Sequence, residues 1–215
     1  MMRRFIHIVE NALEEGFGMP SLEELLQQCD NVDQFINKLD GSLVDALFRG
    51  HYDDQTPNNV FMTDYVGHAR EYAGGEGGDG RVDAYAYNPG DALFFNDARF
   101  DEMRNAYRRL TDQQLAAAYK TALAGHRFAD EFRRSFSMVK KIIRGDAPYS
   151  SFCGDHETND AVVPLMQAYA REHGKNIIAF HGSDYGDYGG QTEYVVGDVS
   201  KLTDLRKLFA ARHPG

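Results

Sequence analysis

Between residues 3 and 15 the apolar positions Phe5, Ile8, Val9 and Leu13 recur at helical spacing. Pro20-Ser21 opens a second helix: Ser21 can cap it, and Glu24 three residues on completes a capping box. Asn31 to Leu39 keeps the helical character, so residues 1–40 predict a helical lead-in. The texture changes at Leu43. Leu43 to Phe48 and Val60 to Thr63 are short apolar runs, and Asp64 to Ala73 predicts a short helix capped by Thr63 or Asp64. Gly74 to Gly80 reads as a glycine-rich loop. Val82 to Tyr87 alternates as a strand does, Asn88-Pro89-Gly90-Asp91 forms a turn, and Ala92 to Phe95 is extended again.

Residues 100–145 are strongly helical, with a capping box at Thr111 and Gln114 and a break expected at Gly125. A helix over Asn159 to His173 stops at Gly174, and Ile177 to Phe180 has the apolar run of a buried strand. His181 to Gly190 is a loop rich in Gly, Asp and Tyr. Thr192 to Val196 predicts a further strand, and residues 201–211 a closing helix. Short strands scattered between helices, separated by turns and irregular loops, favour an α+β sheet over a doubly wound parallel one. No Gly-x-Gly-x-x-Gly follows a strand, so a Rossmann site is not expected.

Composition narrows the function classes. The 42% of hydrophobic residues suffices for a globular core, and 215 residues suit one domain. A net charge of −10 makes a general nucleic-acid binder a poor fit, since phosphate contacts need clustered cations. The one such cluster, Arg133, Arg134, Lys140, Lys141 and Arg144, reads first as a solvated helix face. Cys29 and Cys153 have neither metal nor redox spacing and fit reduced, structural thiols. No apolar run is long enough to cross a membrane, and Glu10 comes too early for a signal peptide, so no membrane partner is expected. His156 and Glu157 are adjacent rather than spaced for a common ion, and His-Glu-x-x-His is absent, so no metal is expected.

The candidate chemistry lies in Gln191-Thr192-Glu193. On a strand, positions i and i+2 share a face, which sets Gln191 beside Glu193 with Thr192 turned away. A carboxylate there can steady a sugar cation while a carboxamide orients an incoming group.

This arrangement resembles the ADP-ribosyltransferase superfamily, in the branch whose site combines an arginine, a serine or threonine, and a glutamate in a Glu/Gln-x-Glu motif. Phe48-Arg49-Gly50 is similar to that family's first-strand Arg-Gly. Val60 to Thr63 with Ala69 to Ala73 is similar to its Ser/Thr-bearing strand and following helix. Val82 to Leu93 is similar to the next strand and its Pro-Gly-Asp turn, and Glu193 to Ser200 to the closing strand of phage-borne and toxin-like members. The resemblance covers residues 43–102 and 158–205, leaving 1–40 and 103–157 as a helical lead-in and a helical insertion. Phe61-Met62-Thr63 departs from the family's usual Ser-Thr-Ser. His51 directly follows the Arg-Gly, and the superfamily's other branch begins with a histidine.

The resemblance implies a single domain on a split β-sheet core that cleaves NAD⁺ as substrate and transfers ADP-ribose. Glu193 would stabilise the positive charge that develops on the ribose as nicotinamide leaves. Arg49 would clamp the diphosphate, with Gly50 and His51 beside it, and Thr63 would hydrogen-bond Glu193 or the ribose. Phe61, Tyr72 or Tyr85 would stack on nicotinamide. Gln191, with Tyr185 and Tyr188 in the preceding loop, would bind a macromolecular acceptor, protein in preference to nucleic acid. Members of this kind serve as toxins, effectors or phage factors, which implies an inhibitor or antitoxin partner and action in the cytoplasm or after delivery into a target cell. The alternatives are a non-catalytic binding protein on the same fold and an NAD⁺ glycohydrolase.

Overall fold

A computed structural model describes residues 19–51, 60–74, 80–124, 132–151, 156–181 and 192–214. Among them are eight helices and one seven-stranded mixed sheet, in line with the expected α+β class. The helix predicted over residues 3–15 lies outside the described residues.

Local chemistry starts most elements where the sequence indicates. Helix α1 (Leu22–Gln28) begins with the Ser21–Glu24 capping box, and Asn31 caps α2 (Val32–Leu39) through the Gln34 N–H. Strands β1 (Ala46–Gly50) and β2 (Val60–Thr63) precede α3 (Val66–Ala73). No side chain caps α3, whose N-cap position is Tyr65; the Thr63 hydroxyl, two residues before it, accepts the Tyr65 N–H at 3.2 Å. After β3 (Val82–Ala86) a 3₁₀ turn at Pro89–Asp91 leads into β4 (Ala92–Phe95).

The expected helical region resolves into α4 (Asp97–Arg108), α5 (Asp112–Leu123) and α6 (Phe132–Arg144), with a capping box at Thr111 and Gln114. Helix α7 (His156–Glu172) starts three residues before the predicted Asn159 and ends before Gly174, whose φ of 69° is the left-handed stop that glycine tolerates. Strands β5 (Ile177–His181) and β6 (Thr192–Val196) follow. A two-residue strand, β7 (Thr203–Asp204), replaces the start of the helix predicted at 201. Helix α8 therefore runs over Leu205–Arg212, capped by Asp204.

The strand order is β4-β5-β6-β2-β1-β3-β7, antiparallel except for the parallel pair β4–β5. Between β1 and β2 the register narrows to one Cα pair, Phe48 with Thr63, whereas β2–β6 and β1–β3 pair along their lengths. The sheet is thus two ribbons of four and three strands joined at a waist. Each ribbon carries its own helices on the same face. Leu93, Phe95, Ile178, Phe180 and Val195 of the four-stranded ribbon pack into one core with residues of α4 to α7. Ala46, Phe48, Val82 and Ala84 of the three-stranded ribbon pack into another with α1, α2, α3 and α8. The waist falls between these helical layers and leaves a cleft open on that face.

Two members of the basic cluster make internal ties. Lys140 and Arg144 both pair with Asp112, and Arg144 donates to the Leu110 carbonyl at 2.7 Å, joining the end of α6 to the α4–α5 turn. No helix among the described residues is long and apolar enough to cross a membrane.

Candidate active-site cleft

Alternation along the strands decides which side chains share the cleft. Phe48 and Gly50 of β1, Phe61 and Thr63 of β2, and Glu193 of β6 occupy the helix-bearing face and line a cavity of about 190 Å³. Thr63 and Glu193 are direct Cα partners across β2 and β6, and Phe48 stands opposite Thr63 on the other side. These three form one row across the waist. Thr63 is buried and Glu193 half-buried. Directly opposed antiparallel residues hold their Cβ atoms about 5 Å apart, so the two side chains are neighbours on the cleft floor.

Helix α3 forms one wall through His68, Ala69 and Tyr72. Tyr72 is exposed at the rim, with its ring edge-on to His68 at 5.1 Å between centroids. The helix lies close enough to β1 that a Cβ on Gly50 would sit 1.9 Å from the Ala69 carbonyl oxygen and 2.8 Å from the Ala73 nitrogen. Glycine is therefore required at position 50 by backbone-to-backbone contact, whatever the ligand.

The opposite wall holds Asp160, from the first half of α7. Pro164, four residues on, has no N–H to give the Asp160 carbonyl, so the regular helical bond is missing beside the cleft. Asp160 belongs to none of the sequence motifs above. The proline within a helix was a usable signal, but nothing in one chain tells which element that helix faces.

Three expected site residues stand elsewhere. Arg49, between Phe48 and Gly50, turns to the other face of the sheet, where its cross-strand partner is Asp83. His51 follows on that side, with Nε2 2.7 Å from Asp83 Oδ2. Tyr85 belongs to the apolar cluster of that face, with Leu47, Met62 and Tyr194. Burial pushes its phenol up to about 12, reinforced by Asp83 and Asp204 and partly offset by the Arg49 charge. Arg49, His51 and Tyr85 thus form a group behind the sheet, apart from the residues that line the Glu193 cleft. The reason is the two-residue period: no strand can present both Arg49 and its neighbours Phe48 and Gly50 to one side. Gln191, Tyr185 and Tyr188 lie outside the described residues.

Behind the sheet, burial also drives the Tyr194 phenol far above its ordinary range, helped by the nearby Asp64 carboxylate 3.3 Å from its hydroxyl. Tyr194 is therefore a neutral, structural neighbour of Glu193. The cleft combines a carboxylate–hydroxyl pair on its floor, a second carboxylate and an imidazole on its walls, and aromatic surface from Phe61 and Tyr72. Its 190 Å³ is below the roughly 300–1,000 Å³ of pockets that enclose a drug-sized ligand, so it suits one portion of a larger molecule. Compared with protein-family models, curated proteins and solved structures, the chain matches none of them.

Proposed function

We propose that the chain cleaves NAD⁺ at the bond between nicotinamide and ribose and passes the ADP-ribosyl group to an acceptor, as a mono-ADP-ribosyltransferase. The observation that carries this reading is the direct pairing of Thr63 with Glu193 at the base of this cleft. As the glycosidic bond breaks, the bonding electrons leave with nicotinamide and positive charge spreads over C1′ and the ring oxygen. A fixed carboxylate beside that charge lowers the barrier without having to reorganise. Thr63 orients Glu193 or contacts the ribose, and Phe61 and Tyr72 supply faces for the nicotinamide ring. The narrow β1–β2 waist also fits the split sheet expected of this superfamily. In this reading Arg49 does not hold the diphosphate.

The test is nicotinamide release from NAD⁺, with labelled NAD⁺ and lysate as acceptor source, comparing the wild type with Glu193→Gln. Release that Glu193→Gln abolishes supports the reading. A wild type that neither binds nor cleaves NAD⁺ overturns it and leaves a binding protein.

Asp160 favours a second reading, an NAD⁺ glycohydrolase. A carboxylate across the cleft from Glu193 can take a proton from water as its oxygen attacks C1′, the division of labour found in glycoside hydrolysis. Label that stays in free ADP-ribose and reaches no macromolecule selects this version.

A further inference from the structure

On the far side of α3 from the cleft lies a second, larger concavity of about 550 Å³. Arg70 is two residues from both His68 and Tyr72, and at about 100° per residue that turns it to the opposite side of the helix. It lines this concavity together with Arg81 and Arg206. Two of the three guanidiniums are held in place. Arg206 Nε donates to the Val82 carbonyl at 2.7 Å, and its Nη2 donates to Asp33 Oδ1 at 3.0 Å. Arg81 grips Asp83 through Nε at 2.9 Å and Nη2 at 3.3 Å. Asp83 is buried and also faces His51, so its charge is engaged beneath the surface. Among the described residues, Asp33 is the one carboxylate lining the concavity itself, against three arginines. Arg70 makes no ion pair among the described residues.

A structural role accounts for Arg81 and Arg206, which neutralise Asp83 and tie α2 and α8 to the edge of β3. It does not account for Arg70, nor for an open cavity where the three meet. We infer that this concavity binds a phosphate-bearing anion, with Arg70, Arg81 and Arg206 as its donors. Guanidinium forks match the paired oxygens of a phosphoryl group, and pre-held arginines lose little freedom on binding. The volume exceeds what a free ion needs, which points to a phosphate carried on a larger molecule. In a chain of net charge −10 such a site has to act through local contacts, because the overall field repels anions. The inference goes beyond the proposed cleft chemistry and does not depend on it.

The probe is inorganic pyrophosphate, titrated into the full chain by calorimetry and followed by NMR of the arginine Nε–Hε groups. Saturable binding is expected, with the Arg81 and Arg206 signals shifting. Arg70→Gln should weaken binding about tenfold or more, since it removes a cation and no ion pair among the described residues, while Lys141→Gln should leave affinity unchanged. Absence of saturable binding, equal affinity in Arg70→Gln, or shifts confined to the amides of Thr63, His68 and Glu193 would each overturn the inference. The last outcome would place the anion in the cleft. Failure of NAD⁺ cleavage alone would leave this site standing.

Discussion

Thr63 and Glu193 face each other as direct partners on β2 and β6, at the point where the two halves of the sheet meet. The Glu193 carboxylate thus has the Thr63 side chain as its cross-strand neighbour. If it stabilises the ribosyl cation, Glu193→Gln should lower the rate of nicotinamide release by about 100-fold or more, the scale set by one preorganised charge-stabilising group. Thr63→Ser should keep most of the rate and Thr63→Val should not. Steady-state assays with the two Thr63 variants check whether the hydroxyl matters. Equal rates would reduce Thr63 to its bond with the Tyr65 N–H.

Arg49 gives the sharpest contrast between resemblance and structure. Its position behind the sheet predicts that Arg49→Gln changes kcat/KM for NAD⁺ by less than about threefold, well under the 1.4 kcal/mol that a tenfold loss represents. A hundredfold loss would return its guanidinium to the site.

Tyr72 stands at the rim with its ring exposed. Removing a stacking face costs about 1–3 kcal/mol in comparable ring contacts. Tyr72→Ala is expected to raise KM by about tenfold with kcat little changed, which separates binding from chemistry.

Gly50→Ala would drive a methyl group into the backbone of α3, with the Ala69 carbonyl oxygen 1.9 Å from the new carbon. Backbone cannot rotate aside, so the helix must shift. The expected cost is at least the about 1–3 kcal/mol of overpacking, measured by urea unfolding, together with loss of the cleft wall.

Asp83 carries a pH dependence with a definite sign. Burial pushes its carboxyl up, but the Arg81 hydrogen bond and the His51 and Arg81 charges outweigh that and hold it below its ordinary 3.8. A carboxyl depressed in the folded state contributes stability that is fully present above the unfolded value. It is lost as pH falls through 3.8 towards the folded value. The wild type should therefore lose stability more steeply than Asp83→Asn as the pH drops below about 4. Thermal melts of both proteins between pH 7 and 2.5 read the difference, and parallel curves would dismiss it.

Local signals carried much of the fold. Ser21 with Glu24, Thr111 with Gln114, and Gly174 each start or stop a helix through contacts within a few residues, and such contacts are visible in sequence. Thr63, Glu193 and Tyr72 were legible as site candidates through their order along the chain. Arg49 and Tyr85 match the resemblance by their order along the chain, but a strand divides its residues between two faces, and both lie behind the sheet from Glu193. Asp160 and the Arg70–Arg81–Arg206 concavity were invisible for a different reason. They assemble from segments up to 136 residues apart, and only the packing of α7 and α8 brings them together.

The narrow seam between β1 and β2 gives the cleft a mechanical character. Thr63 and Glu193 on its floor belong to the four-stranded ribbon, and Phe48, Gly50 and the α3 wall to the three-stranded one. The width of the cleft is then set by how the two ribbons meet along that seam. Anything seated across it works as a staple, which should appear as slowed amide exchange along β1 and β2 when the cleft is filled.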